Sequence, residues 1–222
     1  MCRTSSNGLD ERYFMQNPSI PKVLNRFTSL PILLDMLSRK CITLLEPTSW
    51  EDRNDAFYLE KYKEAKNLKT LLAYCFSAKR ETFHHWKVFS NGASGVCVEF
   101  HPEKLLGSVR DLEGIRIEEV DYQYIKKNIK PHQSKWPFLK RKAFEDEGEW
   151  RIIYENKKVR EKTKDVPFDV SCIQKITLSP WLLKPIDKTI KEIIRSIDGC
   201  GAIPVSGSAL LESEKWKNCL PE

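Results

Sequence analysis

The sequence has no C-x-x-C pair. Its seven cysteines stand at positions 2, 41, 75, 97, 172, 200 and 219, an odd set whose spacing matches neither a zinc site nor a disulfide framework. Only four histidines are present. His84 and His85 are adjacent, so on a helix they point about 100° apart and cannot chelate one ion together, while His101 and His132 lack a partner at metal-ligand spacing. Cys75 and Cys97 have no accompanying histidine, which argues against a cysteine nucleophile. No apolar run approaches the length of a membrane span, and the polar start Met1-Cys2-Arg3-Thr4-Ser5-Ser6 has no signal-peptide core. Linker-like stretches and internal repeats are missing too. These absences predict a single soluble domain without a membrane partner, and free thiols in apolar runs point to the reducing cytoplasm.

What is present fits that class. With 222 residues, 41% apolar residues and six tryptophans, the chain is long enough for one well-cored domain over 22–222, preceded by a polar extended arm over 1–21 that ends in Asn17-Pro18-Ser19-Ile20-Pro21. The net charge of +6 permits contact with nucleic acid without requiring it. Lysine and arginine are densest at Lys126 to Lys142 and Lys157 to Lys164. The clusters Lys126-Lys127-x-x-Lys130 and Lys140-Arg141-Lys142, interleaved with Tyr122, Tyr124 and Trp136, could track a phosphate backbone, although charge runs are ordinarily solvated faces.

Local patterns predict many short strands and few helices. Strands are expected at Val23–Phe27, Cys41–Leu45, Leu71–Ser77, Val96–Phe100, Ile115–Tyr122, 149–155 and Ile173–Leu178, with Ile203-Pro204-Val205 closing the sheet. Helices are expected after the cap Thr28-Ser29-Leu30-Pro31, over 56–67, 80–89, 131–145 and 186–197. The fold class is α+β: a single domain of short, mainly antiparallel strands in two small sheets, with flanking helices and a central cleft.

The run Glu145-Asp146-Glu147-Gly148-Glu149-Trp150-Arg151 is the strongest candidate for a site. On a strand, period-2 alternation places Glu147, Glu149 and Arg151 on one face. Two carboxylates on one face repel unless a guanidinium, a metal or an electron-poor substrate sits between them, and the same field raises the proton affinity of one of them.

Taken in order, Arg26-Phe27-Thr28, Pro47-x-x-Trp50-Glu51-Asp52, Cys75-Phe76-Ser77, Trp86, Gly95 to Phe100, Val120-Asp121-Tyr122 and Glu147-x-Glu149-Trp150-Arg151 resemble a widespread bacterial domain-of-unknown-function family of small cytosolic proteins. A more distant similarity is to ADP-ribosyltransferases, where a strand bearing Arg or His, a later strand ending in Ser and a third bearing Glu are arranged in this sequence, here Arg26, Ser77 and Glu149 with Glu147 two residues earlier. That resemblance implies NAD as substrate, no metal, and a macromolecular acceptor, protein or nucleic acid, with a toxin or phage-defence setting. Arg26 would then hold the diphosphate and Thr28 line the cleft from the first strand. Ser77 would orient the nicotinamide end or the carboxylate, Glu149 stabilise the oxocarbenium ion, and Glu147 orient or deprotonate the attacking group. Trp86 and Trp150 would lie beside a ring-shaped ligand.

Other readings of the same residues stay open. Arg26 can be an ion-pair partner of Glu149 or Glu147, Ser77 a strand end, and Arg151 the counter-charge of the acidic run. Asp52 with Glu147 and Glu149, joined by Asp55 and Glu51, would suit a metal-dependent nuclease. A non-catalytic module with a charged cleft for a protein or nucleic acid is the third possibility.

Overall fold

The computed structural model describes residues 20–124 and 131–219. The arm expected over 1–21 lies outside these apart from Ile20 and Pro21, as do Lys126, Lys127 and Lys130. Five long strands build the centre: β1 (Leu24–Ser29), β3 (Thr70–Ser77), β4 (Gly95–Phe100), β8 (Glu149–Asn156) and β10 (Ile173–Leu178). β3 is buried along nearly its whole length, as its unbroken apolar run requires. One edge of β3 pairs antiparallel with β8 over the full strand, from Thr70↔Asn156 to Ser77↔Glu149. The other edge is shared, β1 meeting it at Asn25↔Ser77 and β2 (Cys41–Leu45) at Leu45↔Ala73. The sheet therefore branches at β3. β4, β10 and β11 (Val205–Gly207) extend the β1 side, β9 (Thr163–Pro167) extends β2, and β5 (Ile115–Glu119) adds to β8. The α+β class is as expected, with one large branching sheet and a second sheet of only two strands, β6 (Asp121–Gln123) and β7 (Leu139–Arg141), paired in parallel.

Alternation along β3 and β8 separates two cores. Leu72, Tyr74 and Phe76 with Trp150, Ile152 and Tyr154 face the main core, which α1 (Leu30–Arg39), α4 (Pro102–Val109) and α5 (Lys184–Ser196) cover. On the opposite face Leu71, Ala73 and Ile153 pack with Leu59 and Tyr62 of α2 (Arg53–Ala65) and with Phe138. Cys75, Ser77, Glu149 and Arg151 continue that second face at its polar end.

One expected element is absent in the form anticipated. Residues 131–145 are a 3-10 turn (Gln133–Phe138), then β7, then a second 3-10 turn (Lys142–Glu147). Pro137 inside the segment removes a helical donor and blocks the ladder, and Ala143, expected on the apolar stripe, is exposed.

A third, small core lies under α3 (Phe83–Phe89), where Phe27, Trp86 and Cys97 pack together. The Trp86 indole is fully buried, meets Phe27 edge-on at 5.3 Å and donates to Glu81 Oε2 at 2.8 Å. The expectation that Trp86 lies beside a ring-shaped ligand is not met in this fold, because the indole is enclosed by packing. His85 is 1% exposed, stacks on Phe27 at 5.2 Å, and among the described residues neither ring nitrogen has a well-aligned hydrogen-bond partner. Burial pushes this imidazole below its ordinary value, His84 adds to the effect, and the backbone of Asp146 and Arg80 opposes it. A folded-state value below the unfolded one means that the unfolded chain binds the proton more tightly, so this contribution is intact above the unfolded value and is lost as pH falls through the folded one. His85→Phe keeps the stack and removes the proton site. Urea unfolding at pH 7.5 and pH 5 should give a smaller acid loss of stability for His85→Phe than for wild type. An equal loss in both would place the acid sensitivity elsewhere.

Candidate active site

Glu149 opens β8, directly across from Ser77, the last residue of β3. Gly148 precedes it with φ 51°, the left-handed conformation that turns the chain out of the 3-10 turn, which glycine adopts without the cost a side chain brings. The Ser77 hydroxyl donates to the Glu147 carbonyl at 2.6 Å and accepts from the Lys79 amide at 3.1 Å, while the Ala78 amide donates to the Gly148 carbonyl at 2.7 Å. The end of β3 thus pins the loop that carries Glu147. The Tyr122 hydroxyl accepts the Glu149 amide at 2.7 Å.

Around this loop three carboxylates meet two cations. Arg151 has no exposed surface. Its Nε donates to Glu149 Oε1 at 2.7 Å, its two terminal nitrogens fork onto Asp55 at 2.9 and 2.6 Å, and one of them also reaches the Pro137 carbonyl at 2.7 Å. The Trp50 ring lies 4.8 Å from the guanidinium. The Lys140 side chain, 9% exposed, bonds to Glu147 Oε2 and, at 3.0 Å, to Glu149 Oε2, and lies 3.8 Å from Asp55. With every group ionised, three carboxylates against two cations give a formal excess of one negative charge.

The carboxylates respond differently to nearly equal burial. Burial alone would raise Glu149, but Arg151 and Lys140 outweigh it and hold the carboxyl at about 2. Burial raises Glu147, and Lys140 offsets it only in part. Asp55 also lies above its ordinary value, burial outweighing Arg151. Lys140 is raised despite its burial, because Glu149 and Glu147 favour the charged ammonium. The Cys75 thiol, across from Arg151 in the sheet, is pushed well up by burial and by the Glu149 charge.

Of the residues singled out in the sequence, Ser77, Glu147 and Glu149 come together. Arg26 and Thr28 do not join them. Asn25 is the partner of Ser77 in the sheet, so alternation turns Arg26 and Thr28 to the other face. There the Arg26 guanidinium lies 4.3 Å from the Tyr74 ring and donates to the Cys75 carbonyl at 3.0 Å, with Nε buried and without a partner among the described residues. Arg26 is thus not an ion-pair partner of either glutamate, whereas Arg151 does counter the acidic run. Trp150 is buried in the main core. Asp52 caps α2 through the Asn54 amide at 3.0 Å and lies 3.6 Å from Arg141, apart from the two glutamates. Among the described residues no group of three or more His, Cys, Asp and Glu is arranged to hold a metal, and no helix is long and apolar enough to cross a membrane.

Sequence reading missed Lys140, Tyr122 and the inward role of Asp55. Asp55 shares a helical spacing with the buried Leu59 and Tyr62, so a carboxylate on an apolar stripe was the available signal. Lys140 stood in a run read as solvated, but β7 alternation turns it inward while Arg141 faces out.

No protein-family model and no curated relative matches the sequence. Among solved structures, the chain is similar to Thermus sp. 2.9 DarT in complex with carba-NAD+, at 10% identity and a TM-score of 0.46 over 86% of this chain and 97% of that one. Thermus sp. 2.9 DarT in complex with ADP-ribosylated ssDNA aligns at 8% identity with a TM-score of 0.46, covering 86% and 96% of the two chains. The complex with NAD+ gives 7% identity and a TM-score of 0.45, with 87% and 98% covered. Overlap at this level does not by itself argue a shared activity.

Lys140→Met leaves three buried carboxylates with one cation, and breaking such a cluster should cost about 3 kcal/mol at neutral pH. Without the ammonium, Glu147 rises further, and a carboxyl raised in the folded state gives stability that is complete below its unfolded value and is lost as pH rises through the folded one. The deficit of Lys140→Met against wild type, measured by denaturant unfolding, should therefore shrink from pH 8 to pH 5. A deficit constant with pH would mean that Lys140 acts by packing alone.

Proposed function

We propose that the chain is an ADP-ribosyltransferase-like enzyme that takes NAD as substrate and passes ADP-ribose to a macromolecule, protein or nucleic acid, in a bacterial toxin or phage-defence setting. The observation that carries this reading is the pair Glu147 and Glu149, set in one charged cluster with their proton affinities pushed in opposite directions, which suits two carboxylates for two tasks. Glu149, held low by Arg151 and Lys140, would face the positive charge that develops on the ribose as the glycosidic C–N bond breaks and its electron pair leaves with nicotinamide. The acceptor's nucleophile then bonds to the anomeric carbon, and its proton passes to Glu147. Ser77 would serve by holding the Glu147 loop rather than by touching substrate.

The reading sets a condition on Lys140, whose ammonium lies on both carboxylates. It has to swing aside for a substrate to reach them. β7 is three residues long and pairs only with the equally short β6, so the barrier to that movement is local. Arg26, proposed from the sequence for the diphosphate, would have to leave the Cys75 carbonyl, and the catalytic proposal does not depend on it. A metal-dependent nuclease is disfavoured because ammonium and guanidinium groups already occupy the focus of the three carboxylates.

The test is nicotinamide release from millimolar NAD by purified protein, with and without bacterial lysate as acceptor, in EDTA. Wild type should release nicotinamide and transfer ADP-ribose to lysate. Glu149→Gln should lower release by about a hundredfold or more, and Glu147→Gln should reduce transfer to acceptor more than NAD hydrolysis. Absence of metal-independent release from wild type would end the transferase reading.

A further inference from the structure

We infer that Asp55 is a positioning residue for Glu149, acting through Arg151. The inference rests on the proposed function only in treating Glu149 as the group that meets substrate. A guanidinium is planar and rigid, so two bonds from its terminal nitrogens to one carboxylate fix the plane and thereby the direction of the Nε–H. In this fold the fork goes to both Asp55 oxygens, and the remaining Nε–H points at Glu149 Oε1. Trp50 covers the face of the guanidinium and the Pro137 carbonyl takes a further N–H. Asp55 is itself fixed. It is the third residue of α2, 3% exposed, in the helical turn capped by Asp52, where the helix N-terminus favours a carboxylate.

The alternative cation cannot do this. Lys140 holds the other Glu149 oxygen, but it is a single point charge on a short strand and is the group that must yield to substrate. Once it moves, the orientation of Glu149 depends on Arg151, and that of Arg151 on Asp55. The titratable and charged groups facing Glu149 among the described residues are Arg151, Lys140, Asp55, Glu147, the Cys75 thiol and the Tyr122 hydroxyl, itself raised by burial and by the Glu149 charge.

Two roles for Asp55 predict opposite signs. As a mere neighbouring negative charge it repels Glu149, so Asp55→Asn would lower the proton affinity of Glu149 and leave the acid limb of activity where it was or lower. As a positioning residue its removal lets Arg151 tilt, Glu149 gives up a charge-assisted bond, and its proton affinity rises.

The experiment compares wild type, Asp55→Asn and the conservative Asp55→Glu by crystallography and by nicotinamide release from NAD across pH 2 to 8, a range that reaches down to the value of about 2 at which Glu149 is held. Positioning predicts that the hydrogen bond from Arg151 Nε to Glu149 breaks in Asp55→Asn and persists in Asp55→Glu. It also predicts that kcat falls about tenfold or more in Asp55→Asn with KM nearly unchanged, that its acid limb moves up by about one unit or more, and that Asp55→Glu recovers most of both. An intact hydrogen bond in Asp55→Asn, or an acid limb that stays put or moves down, overturns the inference. Should wild type release no nicotinamide, the transferase reading falls while the crystallographic geometry at Arg151 still decides the role of Asp55. Should Asp55→Asn not fold, Asp55→Glu decides alone: a retained hydrogen bond and acid limb support the inference, and a broken hydrogen bond with full activity overturns it.

Discussion

A guanidinium with no exposed surface must find all its partners inside the fold, and Arg151 therefore constrains everything around it. Taking such a cation and its counter-ions out of water costs several kcal/mol per ion, recovered only where geometry and hydrogen bonding are complete. Arg151 meets this by drawing on separate segments: Asp55 from α2, the Pro137 carbonyl from the 3-10 turn, and Glu149 from its own strand, with Trp50 over the guanidinium. Neither α2 nor the turn is placed by sheet pairing with β8. The arginine ties a helix end and an irregular loop to the central strand, and such buried polar clusters specify an arrangement more than they stabilise it.

The difference between Glu147 and Glu149 follows from the same constraint. The two carboxyls share Lys140 and are comparably buried, at 9% and 4% exposure. Burial would raise both, and raise Glu149 more. Only Glu149 reaches Arg151, and it alone is held low. Placement two residues apart, across a left-handed glycine, is what lets one carboxylate bond the buried arginine while the other stays on the lysine alone. With every group ionised, a cluster of three acids and two bases has a formal excess of negative charge, and its proton affinity resides chiefly at Glu147 and Asp55, the members raised by burial.

The strands were legible because their signals are local. The apolar run at Leu71–Ser77 and the segments at Cys41–Leu45, Val96–Phe100 and Ile173–Leu178 lie where the sheet has them. The segment 131–148 was not legible, since Phe138, Leu139, Ala143 and Phe144 mimic a helical stripe while Pro137 and the pairing of β7 with β6 decide otherwise. The partner of the acidic run was hidden for a different reason. Asp55 and Arg151 are 96 residues apart, and no single-sequence pattern reports which distant carboxylate a buried arginine will fork onto.

Order along the chain also says nothing about face, and Arg26 illustrates the consequence. Read as a series, Arg26, Ser77 and Glu149 suggest one cleft. Register decides: Asn25 faces Ser77, so Arg26 is turned away. The sheet branches at this point. β1 leaves the edge of β3 after the Asn25↔Ser77 pair and β2 does not join until Ala73, so the carbonyl of Cys75 lacks a strand partner. Arg26 supplies the missing donor and lays its guanidinium against Tyr74. A buried carbonyl left unpaired at a branch costs about as much as a missing hydrogen bond, and a long cationic side chain from the departing strand is well suited to fill the wedge. The cation the sequence offered for a diphosphate is thus occupied in keeping two halves of one sheet joined.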